Sequence, residues 1–154
     1  AQVTAMIVLV MVGAFIFMKL MTISKLPYML SEFVVGLPLS RYFILVAIIF
    51  VYIILGMFLD VISCILVTVP IFFPAVIALG FDPVWYGVIM VRVMEMGLIT
   101  PPIGLDVFTL SGTTGIPAGT IFRGVIPFVV ADILHVALLV AVPSISLFLP
   151  SMMK

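Results

Sequence analysis

The chain has 154 residues, of which 66% are apolar and only 8% charged, and its mean hydropathy is +1.58. Six basic side chains cancel six acidic ones, and no basic run interleaves with aromatics, so no nucleic-acid partner is expected. The composition is that of an all-α integral membrane protein, rich in segments able to cross a hydrocarbon core of roughly 30 Å.

The opening Ala1-Gln2-Val3-Thr4 shows no initiator methionine, charged n-region or cleavage site, and reads as the start of the C-terminal portion of a longer membrane protein. Val3 to Met18 form a first apolar span, closed by Lys19. From Met21 to Ser40 the polar residues Ser24, Lys25, Ser31 and Glu32 interleave with apolar ones, as in an amphipathic arm lying at the interface. Tyr42 to Phe58 is a second apolar stretch and Val61 to Leu79 a third, with Pro70 and Pro74 inside it. Only a few residues around Gly56 and Asp60 join these two. Asp60 therefore either tips a re-entrant helical hairpin at membrane depth or caps a helix at an ordinary short connection. Gly80-Phe81-Asp82-Pro83 is a turn in which Asp82 caps the next helix and Pro83 takes its first position.

Val84 to Leu98 then runs into Thr100-Pro101-Pro102-Ile103-Gly104. Pro101 and Pro102 have no backbone N–H, and each ring clashes with the carbonyl one turn earlier. Thr100, preceding a proline, is pushed into an extended conformation. Interrupted backbone at membrane depth persists where it lines a polar cavity, and transporters use such breaks to present carbonyls to ions. Leu105 to Leu110 is too short to cross alone and is the second half of one discontinuous helix. After the turn Ser111 to Pro117, Ala118 to Leu149 is long enough for a tilted final span despite Pro127 and Pro143.

Few side chains carry charge. Arg92 and Glu95 share a helix face and suit a neutralising pair, while the planar fork of Arg92 also suits a substrate carboxylate. Asp132 and His135 repeat the spacing in the last span, which fits a hydrogen bond to a neighbouring helix or partner subunit, or a proton relay. The single Cys64 excludes an internal disulfide, and the Met and Phe content is packing. No nucleophile–base set or His-Glu-x-x-His points to an enzyme.

Gly56-Met57-Phe58-Leu59-Asp60, Val69-Pro70-Ile71-Phe72-Phe73-Pro74, Gly80-Phe81-Asp82-Pro83 and the run Glu95 to Gly104 together resemble the large membrane subunit of tripartite ATP-independent periplasmic (TRAP) transporters. Ile121 to Phe128 and Ser144 to Pro150 fit the same pattern, so nearly the whole chain is covered. The resemblance implies the second inverted repeat of an ion-transporter-superfamily fold, with a re-entrant hairpin over 41–79 and a discontinuous helix over 83–112. Its implied division is a scaffold transmembrane helix (1–20), an interfacial arm (21–40), a transport domain (41–117) and a final transmembrane helix (118–154). It implies a multi-pass protein of the bacterial inner membrane that imports an organic acid, such as a C4-dicarboxylate or sialic acid, on a sodium gradient by an elevator movement. Implied partners are a periplasmic binding protein, a small four-helix membrane subunit, the N-terminal half of the large subunit, and membrane lipid.

On that reading Na⁺ is the coupling ion, and the carbonyls of Gly56, Gly97, Thr100 and Ile103 with the Thr100 hydroxyl supply hard oxygen ligands. Gly56 and Gly97 permit close backbone approach, and packing contact alone is the other reading of them. Asp60, Arg92, Glu95, Pro101, Pro102, Gly104 and Asp106 are the further substrate or structural candidates; Asp106 stands where the family pattern usually has asparagine. Lys19, Lys25 and Arg41 set against Arg123 favour a cytoplasmic arm, whereas the implied fold places it on the periplasmic face. A binding-protein-independent dicarboxylate or citrate carrier and a passive membrane anchor are the competing functions.

Overall fold

A computed structural model describes the backbone of residues 2–153, and the side chains of these except residues 2–7, 10, 11 and 14; the first residues of the span expected from Val3 thus lie outside the described side chains. All elements among the described residues are helices: α1 (Gln2–Ser24), α2 (Leu26–Gly36), α3 (Arg41–Phe58), α4 (Val61–Ala78), α5 (Pro83–Ile99), α6 (Leu105–Thr114), α7 (Ala118–Ala141) and α8 (Ser144–Met152). Of these, α3, α4 and α7 are long and apolar enough to span a membrane.

Helix boundaries follow the capping chemistry. The Ser40 hydroxyl accepts the Phe43 N–H at 3.3 Å to open α3, and Asp60 Oδ2 accepts the Ser63 N–H at 3.1 Å to open α4. Asp82 Oδ1 takes two orphan donors at the head of α5, the N–H groups of Val84 (2.8 Å) and Trp85 (3.0 Å), with Pro83 following as expected.

Two boundaries differ from the sequence reading. The first span does not close at Lys19: α1 continues to Ser24, and the chain turns at Lys25, whose φ of 55° is left-handed. A single lysine on a helix surface interrupts no backbone hydrogen bond, whereas a left-handed residue ends the ladder outright. The final segment is likewise not one span, because it is severed at Val142-Pro143 into α7 and α8. Val142 still donates to the Leu138 carbonyl, but Pro143 has no N–H to offer Leu139. That orphaned carbonyl receives the indole N–H of Trp85 at 2.9 Å instead, a buried bond that closes α5 onto the end of α7.

Helix α5 is the axis of the bundle. It packs against α3, α4, α6, α7 and α8, and buries Trp85, Tyr86, Ile89, Met90, Val93 and Met94. Against it α3 presents Leu45, Ile48 and Tyr52, all buried. The Tyr52 and Tyr86 hydroxyls meet at 2.7 Å, so two phenols satisfy each other inside an apolar core. On the other side of α4, α1 and α2 pack as a separate layer.

Candidate functional site

Position 56 on α3 and position 97 on α5 are where these two helices come closest, because neither residue has a side chain to hold them apart. A Cβ at Gly97 would fall 2.9 Å from the Gly56 Cα and carbonyl carbon, and one at Gly56 would fall 2.8 Å from the Met94 carbonyl oxygen. Both distances are below any real Cβ contact, so the two backbones are in direct touch. The end of α3 is thereby set against the interruption that follows α5.

Helix ends leave carbonyls without partners, and this pair of ends leaves several. At the end of α3, Leu59 N–H returns to Leu55, while Gly56, whose natural donor would be Asp60 N–H, receives no backbone bond. At the end of α5 the donors that Gly97 and Leu98 would use belong to Pro101 and Pro102, which have none. Gly97 is rescued by the Thr100 N–H at 3.1 Å, but Leu98 is not. The Thr100 hydroxyl donates to the Met96 carbonyl at 2.6 Å, so its lone pairs remain open to a ligand. Thr100 itself is extended (φ −84°, ψ 132°), as the following proline requires.

The chain then doubles back through Pro101, Pro102 and Ile103, with a cis bond between the two prolines, to Gly104. Gly104 has φ 55° and opens α6. A Cβ there would meet the Leu98 and Thr100 carbonyl oxygens at 3.3 Å each and the Phe122 ring at 3.1 Å. Two unpaired carbonyls therefore converge beside Gly104, closed over by Phe122 of α7, which also meets Phe108 edge-on. Leu98 and Phe122 escaped the sequence reading. Leu98 was recoverable, lying four residues before Pro102; Phe122 carried no local signal.

The other candidates fall in different places. Asp60 lies four residues beyond Gly56, with its carboxylate capping α4. Asp106 is exposed in the first turn of α6, where a negative charge suits the positive end of the helix dipole. Ile103 is half-buried in the turn.

Arg92 and Glu95 belong to a separate cluster between α5 and α7. Arg92 Nη1 donates to Glu95 Oε2 at 3.1 Å, Nη2 to Asp132 Oδ1, and Nε to His135 Nδ1 at 3.3 Å. His135 accepts through Nδ1. With all three guanidinium nitrogens engaged inside the protein, Arg92 works as a clamp between helices. Asp132 does find its partner on a neighbouring helix, and that partner is Arg92. The cluster opens onto a 540 Å³ groove otherwise walled by apolar residues of α5 and Leu139.

The family model for the DctM component of tripartite ATP-independent periplasmic transporters matches residues 1–145. The chain belongs to the DctM family. It is 35% identical over 150 residues to the C4-dicarboxylate TRAP transporter large permease protein DctM of Pseudomonas aeruginosa, covering 97% of this chain and 35% of that protein. It is 30% identical to the sialic acid TRAP transporter large permease protein SiaM of Vibrio cholerae, over 97% of this chain and 35% of the relative. It is 39% identical over 106 residues to the ectoine TRAP transporter large permease protein TeaC of Halomonas elongata, over 69% of this chain and 25% of the relative. The chain thus spans about a third of the length of the two relatives it matches end to end.

Proposed function

We propose that this chain is the second repeat of the large permease subunit of a sodium-coupled TRAP transporter that imports an organic acid. In this reading α3 and α4 form the re-entrant hairpin, α5 and α6 the discontinuous helix, and α1 and α2 the scaffold span and interfacial arm. The contact of Gly56 with Gly97 carries the proposal. It brings the end of one apolar helix, whose Gly56 carbonyl has no backbone donor, against an interrupted helix that leads on to the Leu98 and Thr100 carbonyls at Gly104.

The donor set suits Na⁺, a hard cation that takes oxygen ligands. The carbonyls of Gly56, Gly97 and Thr100 with the Thr100 hydroxyl would hold it, and the convergence at Gly104 adds Leu98 to the set proposed from sequence. Ile103 stays in that set as a carbonyl of the same turn. When bound, the ion supplies positive charge that offsets the substrate carboxylate and closes the hairpin against the break. Relatives named for C4-dicarboxylate and sialic acid transport support a carboxylate substrate. A periplasmic binding protein delivers it, a small membrane subunit braces the permease in the inner membrane, and the hairpin and broken helix move together as an elevator past the scaffold.

The test is uptake of labelled organic acids into proteoliposomes holding the full-length permease with its partner subunits. Thr100→Ala is expected to raise the half-saturating sodium concentration while the protein stays folded. Uptake with unchanged sodium dependence in Thr100→Ala would remove the junction as the coupling site.

A further inference from the structure

One large cavity of the molecule lies away from the helix break. It is a 790 Å³ groove between α1, α2 and α4, on the far side of α4 from the core. Its walls are apolar, chiefly Met18 and Met21 of α1 and Leu66, Val69 and Phe73 of α4. Three features give it polarity at one end. Lys25 stands in the groove lining at the turn between α1 and α2, exposed, with no ion pair or side-chain hydrogen bond among the described residues. Ser31 lies six residues further along, 91% buried by its 9% exposure, and its hydroxyl has no hydrogen-bond partner among the described residues. The Tyr28 N–H, in the first turn of α2, also has no backbone acceptor, since Pro27 and Tyr28 follow a cap that makes no side-chain bond.

An apolar trough with one unpaired cation at its mouth and a hydroxyl in its lining has the polarity of one molecule, a diacyl phospholipid. We propose that this groove is a phospholipid site, holding an acyl chain against α4 and an anionic headgroup at Lys25. The lysine supplies the charge for a phosphodiester, helped by the positive end of α2. The Ser31 hydroxyl, which makes no hydrogen bond among the described residues, donates to an ester carbonyl of the glycerol backbone. The acyl chain fills the space between methionine side chains, which adapt readily to an irregular guest. Glu32, the nearest acidic residue on α2, is exposed and does not line the groove, so it leaves the Lys25 charge available to the lipid.

The experiment is native mass spectrometry of the full-length permease, stripped of lipid and then given equal amounts of palmitoyl-oleoyl phosphatidylglycerol and phosphatidylcholine. The wild type is expected to retain phosphatidylglycerol about five-fold over phosphatidylcholine, the ratio one lysine at a headgroup supplies. Lys25→Gln is expected to bring that ratio close to one while leaving total retained lipid unchanged. Ser31→Ala is expected to weaken retention of both lipids equally with the unfolding temperature of the permease unchanged, which separates loss of the hydroxyl from loss of the fold. A preference unaltered by Lys25→Gln overturns the headgroup assignment. A photoreactive benzoylphenylalanine placed at Phe73 identifies what touches the wall. A lipid adduct is expected, and a peptide adduct would mean that protein covers the groove and the proposal is wrong.

Discussion

The Gly56–Gly97 junction and the Arg92 cluster lie within about one and a half turns of each other on α5, yet one is made of bare backbone and the other of charged side chains. In the cluster every guanidinium nitrogen already has an acceptor within the protein, so the charges are spent on each other and hold α7 to α5. At the junction the polar groups are carbonyls that two prolines and two helix ends have left without donors. A neutral dipole that is unpaired can take up a cation and give it back; a paired ion cannot change partners so cheaply at membrane depth. On the proposed function, the difference separates a structural fastening from an ion site within one helix.

That contrast can be broken at Asp132. Asp132→Ala leaves Arg92 without its least exposed partner and is expected to destabilise the permease by about 1–2 kcal/mol, less than a fully buried pair would cost because this pair is part-buried and Glu95 remains. Thermal unfolding of the solubilised full-length protein measures it, and the half-saturating sodium concentration should stay unchanged. Gly97→Ala should do the reverse. Its Cβ must displace the Gly56 backbone, at a cost of about 1–3 kcal/mol, and the same uptake assay should show sodium half-saturation moved by about ten-fold. Equal effects of the two substitutions on sodium dependence would erase the distinction drawn above. Asp60→Ala sharpens it: removing the α4 cap should cost about 1 kcal/mol, and Asp60→Asn should restore most of that loss, since either side chain accepts the Ser63 N–H. If Asp60→Asn instead lowers sodium affinity, the carboxylate charge belongs to the site as well.

Much of this was legible in the chain because it rests on local covalent facts. Pro101 and Pro102 announce the break wherever they are placed, since no environment gives a proline an N–H. Asp82-Pro83 announces the start of α5 in the same way. The ends of α1 and α7 were harder. Lys19 looked like a stop by polarity, but the helix responds to backbone geometry and ends at the left-handed Lys25. Pro143 looked tolerable within a tilted span because nothing nearby in sequence shows where its orphaned carbonyl finds a donor. The Arg92–Asp132 pair was hidden for a related reason. Each residue had a plausible neighbour three positions away, so the forty-residue separation between them gave no signal. Local rules stop at the edge of the helix that obeys them.

The bond from Trp85 to the Leu139 carbonyl makes two distant positions interdependent. Pro143 deprives that carbonyl of its helical donor, and an indole 54 residues upstream of the acceptor restores one. Neither residue is well chosen without the other. An alanine at 143 would supply an N–H that competes with the indole and lets α7 run on into α8, while a phenylalanine at 85 would strand the carbonyl in the core. Changing both positions together would disturb the corner less than changing either alone. The corner where α7 gives way to α8 is therefore coupled to the first turn of α5.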